Sequence, residues 1–321
     1  MTQPQQNINI FDNAEISDTH HFYHQAMATT FEIVIAADNA RYAQQAARAA
    51  FDQLDILEQQ LSRYINNSDI ARINNLTANQ PLQLSLETFE VLKLSSRIYT
   101  ETNGAFDVTV GLLYDCWLNK MSATVSKEDL AFARSHTGMH IIKLNEAEHT
   151  VELLNTPVKV DLGAIGKGYA VDQMAKLLRD WSIKSALIHS AGSSVLALET
   201  PAGTKGWPVT ISNPENRKQI LAYLHLKNCA LGGSGLQKGR HIIDPHTARP
   251  VTDKCAAWSA APDAATADAL STAFMVMQPE QIKQYCLSHT DSLAMIMTEK
   301  KDQKSPEDRI VRFGPWEKLT A

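Results

Sequence analysis

The sequence has no excess of basic residues, no cysteine pairs and no long apolar run, and each absence excludes something. Its 30 Lys and Arg stand against 35 Asp and Glu, a formal net charge of −5. No basic stripe stands out either, so no nucleic-acid partner is expected. Cys116, Cys229, Cys255 and Cys286 are scattered, with neither metal-ligand nor CxxC spacing, so buried free thiols are expected. No run approaches the roughly 18 apolar residues of a bilayer span, so no transmembrane segment is expected. Residues 1–25 are polar and lack the apolar centre of a signal peptide. Read as given, the chain is expected to be cytoplasmic, and periplasmic only if a leader has been removed. Walker A, Rossmann GxGxxG and GxSxG motifs are all missing. So are repeats, low-complexity blocks and evident linkers.

What is present is ordinary globular composition, 44% hydrophobic and 20% charged, over 321 residues, enough for one or two domains. Met1 to about Asp18 reads as a flexible lead-in. His20, His21 and His24 form an HHxxH cluster, a solvated group or a metal site. Met27–Ala36 reads as a strand. A long helix capped by Asp38 or Asn39 runs to Tyr64, with Ala47, Phe51, Leu54 and Leu61 on one stripe and Glu58 as its single polar break. A polar segment covers 66–75, and Glu87–Thr102 is a second amphipathic helix ended by Asn103-Gly104. A short helix at 127–134 and a hairpin at 140–153 follow. Further strands are expected at 185–189, 195–198, 207–212, 220–226, 256–260, 292–298 and 309–313. Helices are expected at 266–277 and from Pro279. The irregular alternation favours α+β over a doubly wound sheet.

Three stretches could carry chemistry. Val158–Asp172 (VKVDLGAIGKGYAVD) reads as a strand, a turn with Gly163, Gly166 and Gly168, and a helix start. Backbone N–H groups at such a turn, with Lys167, suit an anion such as a phosphate. The stretch also reads as a tight strand-to-helix connection. In Ala267–Phe274 (ADALSTAF), Asp268 and Thr272 are four apart, so their oxygens share one helix face. A carboxylate and a hydroxyl suit Mg²⁺, which keeps several waters. They equally suit an Asp near the helix start with a Thr bonded back to the chain. Gly239–Pro250 (GRHIIDPHTARP) gathers Arg240, His241, Asp244 and His246 about a turn, with His241 as a possible general base or a surface histidine. The small-residue stretches Ser190–Val195 and Leu231–Gly235 read as turns.

The order of these motifs is more telling than any one of them. Met27-Ala28-Thr29, LSRYINNSDIARIN, TNGAFDVTVGLL, VDLGAIGKGYAVD, HIIDP and ADALSTA follow one another from Met27 to Ala273, within a stretch that resembles one family from about Met27 to Met297. The series closely resembles the FAD:protein FMN transferase family, the ApbE type. The resemblance implies an α+β fold, ApbE/T-fold-like, with mixed sheets and packed helices. It implies a flexible segment at 1–26 and an FAD-binding domain over 27–321. It further implies Mg²⁺-dependent transfer of FMN from FAD, as substrate, to a Thr or Ser hydroxyl of a target flavoprotein, with release of AMP. An FAD pyrophosphate hydrolase giving FMN and AMP, or a non-catalytic FAD-binding protein, are the alternatives. By resemblance, Asp268 and Thr272 are metal ligands, helped by a backbone carbonyl at Gly163 or Ala164. Gly166 and Lys167 sit by the pyrophosphate, and Met27, Tyr64, Phe106, Asp107 and Thr109 line the FAD cleft. His241 matches the histidine implicated in transfer, with Asp244 beside it. The chain has Gly192-Ser193-Ser194 where the family often has GGD, Gly233-Ser234-Gly235 for TSG, and Ala248 for the glycine of DPxTG.

Overall fold

The structure is a computed structural model that describes residues 8–10, 19–118, 125–299 and 305–320. After β1 (Ile8–Ile10), β2 (Thr19–Ala26) and β3 (Thr29–Ala36) form a hairpin, and α1 (Ala40–Leu61) starts where the Asn39 side chain accepts from the Tyr42 N–H. Next come α2 (Asp69–Asn74), β4 (Leu82–Gln83), α3 (Leu86–Glu101), α4 (Gly111–Leu118) and α5 (Lys127–Ser135). A small sheet of β4, β5 (Ile142–Asn145) and β6 (Thr150–Leu153) leads to α6 (Gly166–Asp180). The second half contains β7 (Ala186–Ser190), β8 (Ser194–Ala197), β9 (Trp207–Ser212), β10 (Ile220–Leu226) and β11 (Cys229–Gly235). It ends with the hairpin β12 (Ile243–Asp244) and β13 (Arg249–Pro250), then β14 (Lys254–Ala261), α7 (Ala264–Val276), α8 (Pro279–Ser288), β15 (Leu293–Thr298), β16 (Ile310–Phe313) and α9 (Glu317–Thr320).

The main sheet is antiparallel throughout, in the order β16-β15-β14-β11-β8-β7-β3-β2. Alternate residues serve two cores. Phe31, Ile33, Ile35, Ile188 and Leu196 face α1, α6 and α7, while Val34, Leu187, Val195 and Trp258 face the β1-β9-β10 sheet. The second core also holds Trp207 and Trp316, with Leu319 of α9 packed against it. Burial on both faces explains why β7, β8 and β9 read as continuous apolar runs. The α+β expectation holds.

Several local expectations are overturned. The flexible segment cannot extend through residue 26, because Thr19–Ala26 pairs fully with β3 as an edge strand. Ile8–Ile10 pairs with β9; residues 1–7 and 11–18 lie outside the described ones. The HHxxH histidines separate on β2: His20 bonds the Ala37 carbonyl, His21 bonds Glu32 and His24 bonds Asp55. Among the described residues, no group of three His, Cys, Asp or Glu side chains could hold a metal, and no helix is long and apolar enough to cross a membrane. The polar 66–75 segment contains α2, capped by Ser68. The first helix stops at Leu61, leaving Tyr64 beyond it. Val158–Leu162 is extended but not a strand. Its only bridge joins Lys159 to Val110, and the N–H groups of Val160 and Asp161 bond the Asn74 side chain and the Val108 carbonyl. Leu231–Gly235 is no turn either. It runs through the centre of the main sheet, where a Cβ on Gly232 would lie 2.2 Å from the Ala267 carbonyl oxygen of α7.

Candidate active site

Two glycines bring α7 close to its neighbours. A Cβ on Gly168 of α6 would meet the Ala264 carbonyl oxygen at 2.2 Å, as one on Gly232 would meet Ala267. So α7 lies with its backbone against α6 on one flank and β11 on the other. Its N-terminus is held by Asp263, which caps the Thr266 N–H, and by Asp172, whose carboxylate accepts from Ala264 and Ala265 at 2.7 and 2.8 Å. Burial, helped by the Asp263 charge, pushes Asp172 up to about 7. This seating puts Asp268 and Thr272 at the edge of a cleft of about 450 Å³.

The cleft draws its walls from several separate segments of the chain. The Met27–Ala28 turn forms one rim, Arg63 and Tyr64 another, and Phe106–Asp107 a third. The 161–167 turn and the 241–243 segment close it around Asp268 and Thr272, with Gly233–Gly235 of β11 alongside. Asp268 is 3% exposed, and its Oδ2 accepts from the Gly168 N–H at 3.1 Å and lies 4.0 Å from the Lys167 ammonium. Lys167 also donates to the Gly163 carbonyl at 3.0 Å. The Thr272 hydroxyl lies 2.8 Å from that of Ser234, which contacts Ser271 at the same distance.

The glycine turn therefore differs from the expected anion cradle. The Gly163 N–H bonds Asp161, the Gly166 N–H bonds the Leu162 carbonyl and the Gly168 N–H bonds Asp268. These donors serve the fold, which leaves the Lys167 ammonium as the cation of the turn, placed against the Gly163 carbonyl and Asp268. Gly166 is buried and does not line the cleft.

Of the other expected residues, Met27, Tyr64, Phe106, Asp107, Gly163, Ala164 and His241 line the cleft. Thr109 does not. Its hydroxyl donates to Asp107 at 2.6 Å and accepts from the Gly138 N–H. Asp107 is pushed up to about 6 by burial, against the opposing bonds from Thr109. Asp244 does not line the cleft either. Its carboxylate accepts from the His246 N–H and the Thr247 hydroxyl and pairs with the His246 ring, closing its own turn. His241 Nδ1 lies 2.8 Å from the Gly239 carbonyl, which can only accept, so Nδ1 carries the proton and Nε2 is the basic nitrogen.

Sequence reasoning missed Arg63 and Asp161. Their ion pair, 3.1 Å long, ties the end of α1 to the glycine turn. The Arg63 guanidinium lies 4.8 Å from the Tyr64 ring centre and 5.4 Å from that of Tyr114. The tell-tale was adjacency: Arg63 precedes Tyr64, and Asp161 opens the turn. The lining side chains include three aspartates, one arginine and one lysine, a negative balance when all are ionised.

A profile described as the ApbE family matches residues 27–297. An FAD:protein FMN transferase of Klebsiella pneumoniae is 30% identical over 312 residues, covering 90% of this chain and 88% of its own. One of Escherichia coli K12 is 27% identical over 294 residues, covering 86% and 83%. Among solved structures, the ApbE protein of Thermotoga maritima gives a TM-score of 0.81 at 24% identity, covering 94% of this chain and 99% of that one. The flavin transferase ApbE of Vibrio cholerae gives 0.79 at 24% identity, covering 92% and 96%.

Proposed function

The chain belongs to the ApbE family, and from that premise we propose that it is an FAD:protein FMN transferase. It moves FMN from FAD to a Thr or Ser hydroxyl of a target flavoprotein and releases AMP. The observation that carries this reading is the convergence of Asp268, Thr272, Lys167 and His241 on one cleft large enough for a nucleotide.

The donor set fits Mg²⁺. Asp268 and Thr272 offer hard oxygens one helical turn apart, and Gly163 and Ala164, distant in sequence, line the same cleft, where a backbone carbonyl would join them. With few protein ligands, such an ion keeps waters or phosphate oxygens. The charge balance points the same way, because a negative cleft does not hold a doubly negative pyrophosphate unaided. Held by Asp268 and Thr272, Mg²⁺ would supply positive charge to offset that of the pyrophosphate.

The chain's own groups do the rest. Lys167, fixed by the Gly163 carbonyl, faces the pyrophosphate and balances charge on the leaving AMP. The acceptor hydroxyl attacks the FMN phosphorus, and His241 Nε2 takes its proton. The P–O bond to AMP breaks as the new phosphoester forms. Ser234 holds the Thr272 hydroxyl in place.

Purified protein incubated with FAD and Mg²⁺, with and without a candidate acceptor flavoprotein, tests this. AMP release with FMN on the acceptor, read by mass, is the expected result. AMP with only free FMN would indicate the hydrolase, and tight FAD binding without AMP would indicate a binding protein. Whether the protein works in the cytoplasm or the periplasm belongs with the acceptor, since the two must meet.

A further inference from the structure

Glu58 interrupts the apolar stripe of α1, and neither the fold nor the transfer chemistry above requires it there. A half-buried carboxylate on the inner face of a helix is unfavourable unless it is hydrogen-bonded. Glu58 is: its Oε1 accepts from the Met27 N–H at 2.6 Å, a charge-assisted bond. We infer that Glu58 is a positioning residue of the cleft, which fixes the Met27–Ala28 turn as a rim against which FAD binds. The inference rests on reading the cleft as the FAD site.

That turn needs holding. β2 and β3 pair up to Ala26 and Thr29, so the loop is two residues long. Met27 and Ala28 have φ of +49° and +56°. Two-residue hairpin loops of this hand prefer Gly, Asn or Asp. Two successive residues with ordinary side chains in left-handed backbone are strained, and the conformation persists only where the surroundings fix it. Met27, Ala28 and Thr29 all line the cleft, so release of the turn changes the cleft's shape.

The same helix supplies an internal control. One turn earlier, Asp55 bonds His24 of the same hairpin at 2.7 Å, but that pair is largely exposed, Asp55 at 52% and His24 at 31%, and neither residue lines the cleft. Asp55 and Glu58 therefore tie one helix to one hairpin, and only Glu58 acts on the cleft rim.

The test compares Glu58→Ala, Glu58→Gln and Asp55→Ala by FAD binding (flavin fluorescence), kcat, KM and Tm. Glu58→Ala should weaken FAD binding and raise KM by about tenfold, the size of a lost bond to a charged group, while kcat stays within about twofold. Glu58→Gln keeps an acceptor oxygen and should restore most of the affinity. Asp55→Ala, an exposed pair, should change affinity less than about twofold. Ala28→Gly, which relaxes the turn, should recover binding in the Glu58→Ala background. Exchange of the Met27 amide proton needs no ligand: it should be slow in the parent and the Gln variant and fast in the Ala variant. Parent-like affinity in Glu58→Ala, or equal losses in Gln and Ala, would overturn the assignment. Failure of the parent itself to bind FAD would instead overturn the reading of the cleft, and the Met27 exchange rates would still decide whether the clamp exists.

Discussion

The Nδ1 proton of His241 is engaged by the Gly239 carbonyl, so proton uptake falls to Nε2. Three residues on, the Asp244 carboxylate is occupied by His246 and Thr247. The two candidates for proton acceptor are thereby separated by their bonds. His241→Ala should lower kcat for transfer by about 10²-fold or more. Asp244→Asn should leave kcat within a few-fold and act instead on Tm, through a loosened turn. Equal losses of kcat in both would place Asp244 in the chemistry after all. Ala248 shows how a departure from the family pattern is absorbed. It takes φ +55° where the family has glycine, at about 1 kcal/mol. Its methyl, 3% exposed among Leu113, Ala133 and Ile243, regains about 0.8 kcal/mol by burial. The terms nearly offset, so the change is tolerable.

Among the elements, α7 is the one on which the site depends, and two glycines set its place. Gly168→Ala and Gly232→Ala each put a methyl into α7 backbone, which cannot yield as a flexible side chain would. Each should cost about 1–3 kcal/mol or more of stability. Gly168→Ala should also weaken Mg²⁺ binding, because its Cβ would lie 2.8 Å from the Cβ of Asp268. Denaturant melts and metal titrations check both. These glycines also mark where the sequence was hard to read. Strands 207–212 and 220–226 were legible to the residue, because their apolar runs need only a core. LGGSG reads as a turn because glycine usually breaks strands; here Gly232 admits a helix backbone, a contact distant in sequence. VKVDL reads as a strand by its β-branched alternation, but its partners are the Asn74 side chain and the irregular 108–111 segment rather than a sheet neighbour. Arg63 has only its adjacency to Tyr64 to mark it in the sequence, because its partner, Asp161, lies far along the chain.

For the whole molecule, buried carboxylates give stability a pH dependence with two signs. Burial raises Glu32, but hydrogen bonds from His189 and His21 outweigh it and hold the group down to about 2, against 4.5 ordinarily. The unfolded chain binds that proton first. The stabilisation is therefore present above pH 4.5 and lost as pH falls toward 2. Asp172 is the opposite case, at about 7 against 3.8. The folded state keeps that proton longer, so its contribution is greatest below pH 3.8 and is lost as pH rises through 7. Tm should thus fall as pH rises from about 4 to 7, and fall again as pH drops from about 4.5 toward 2. Asp172→Asn should flatten the first decline and Glu32→Gln the second, by calorimetry across that range. An unaltered profile in either variant would remove its group from the account.

Three of the five tryptophans, Trp207, Trp258 and Trp316, lie in the core behind the main sheet, while Trp117 donates to the Ala248 carbonyl on the hairpin beside the cleft. The protein thus carries its own spectroscopic labels, divided by layer. The rear three emit from an apolar setting and lose it only when that layer opens. Trp117 senses the hairpin. With Trp117→Phe as the silent control, ligand binding and unfolding can be followed in one sample without an added dye.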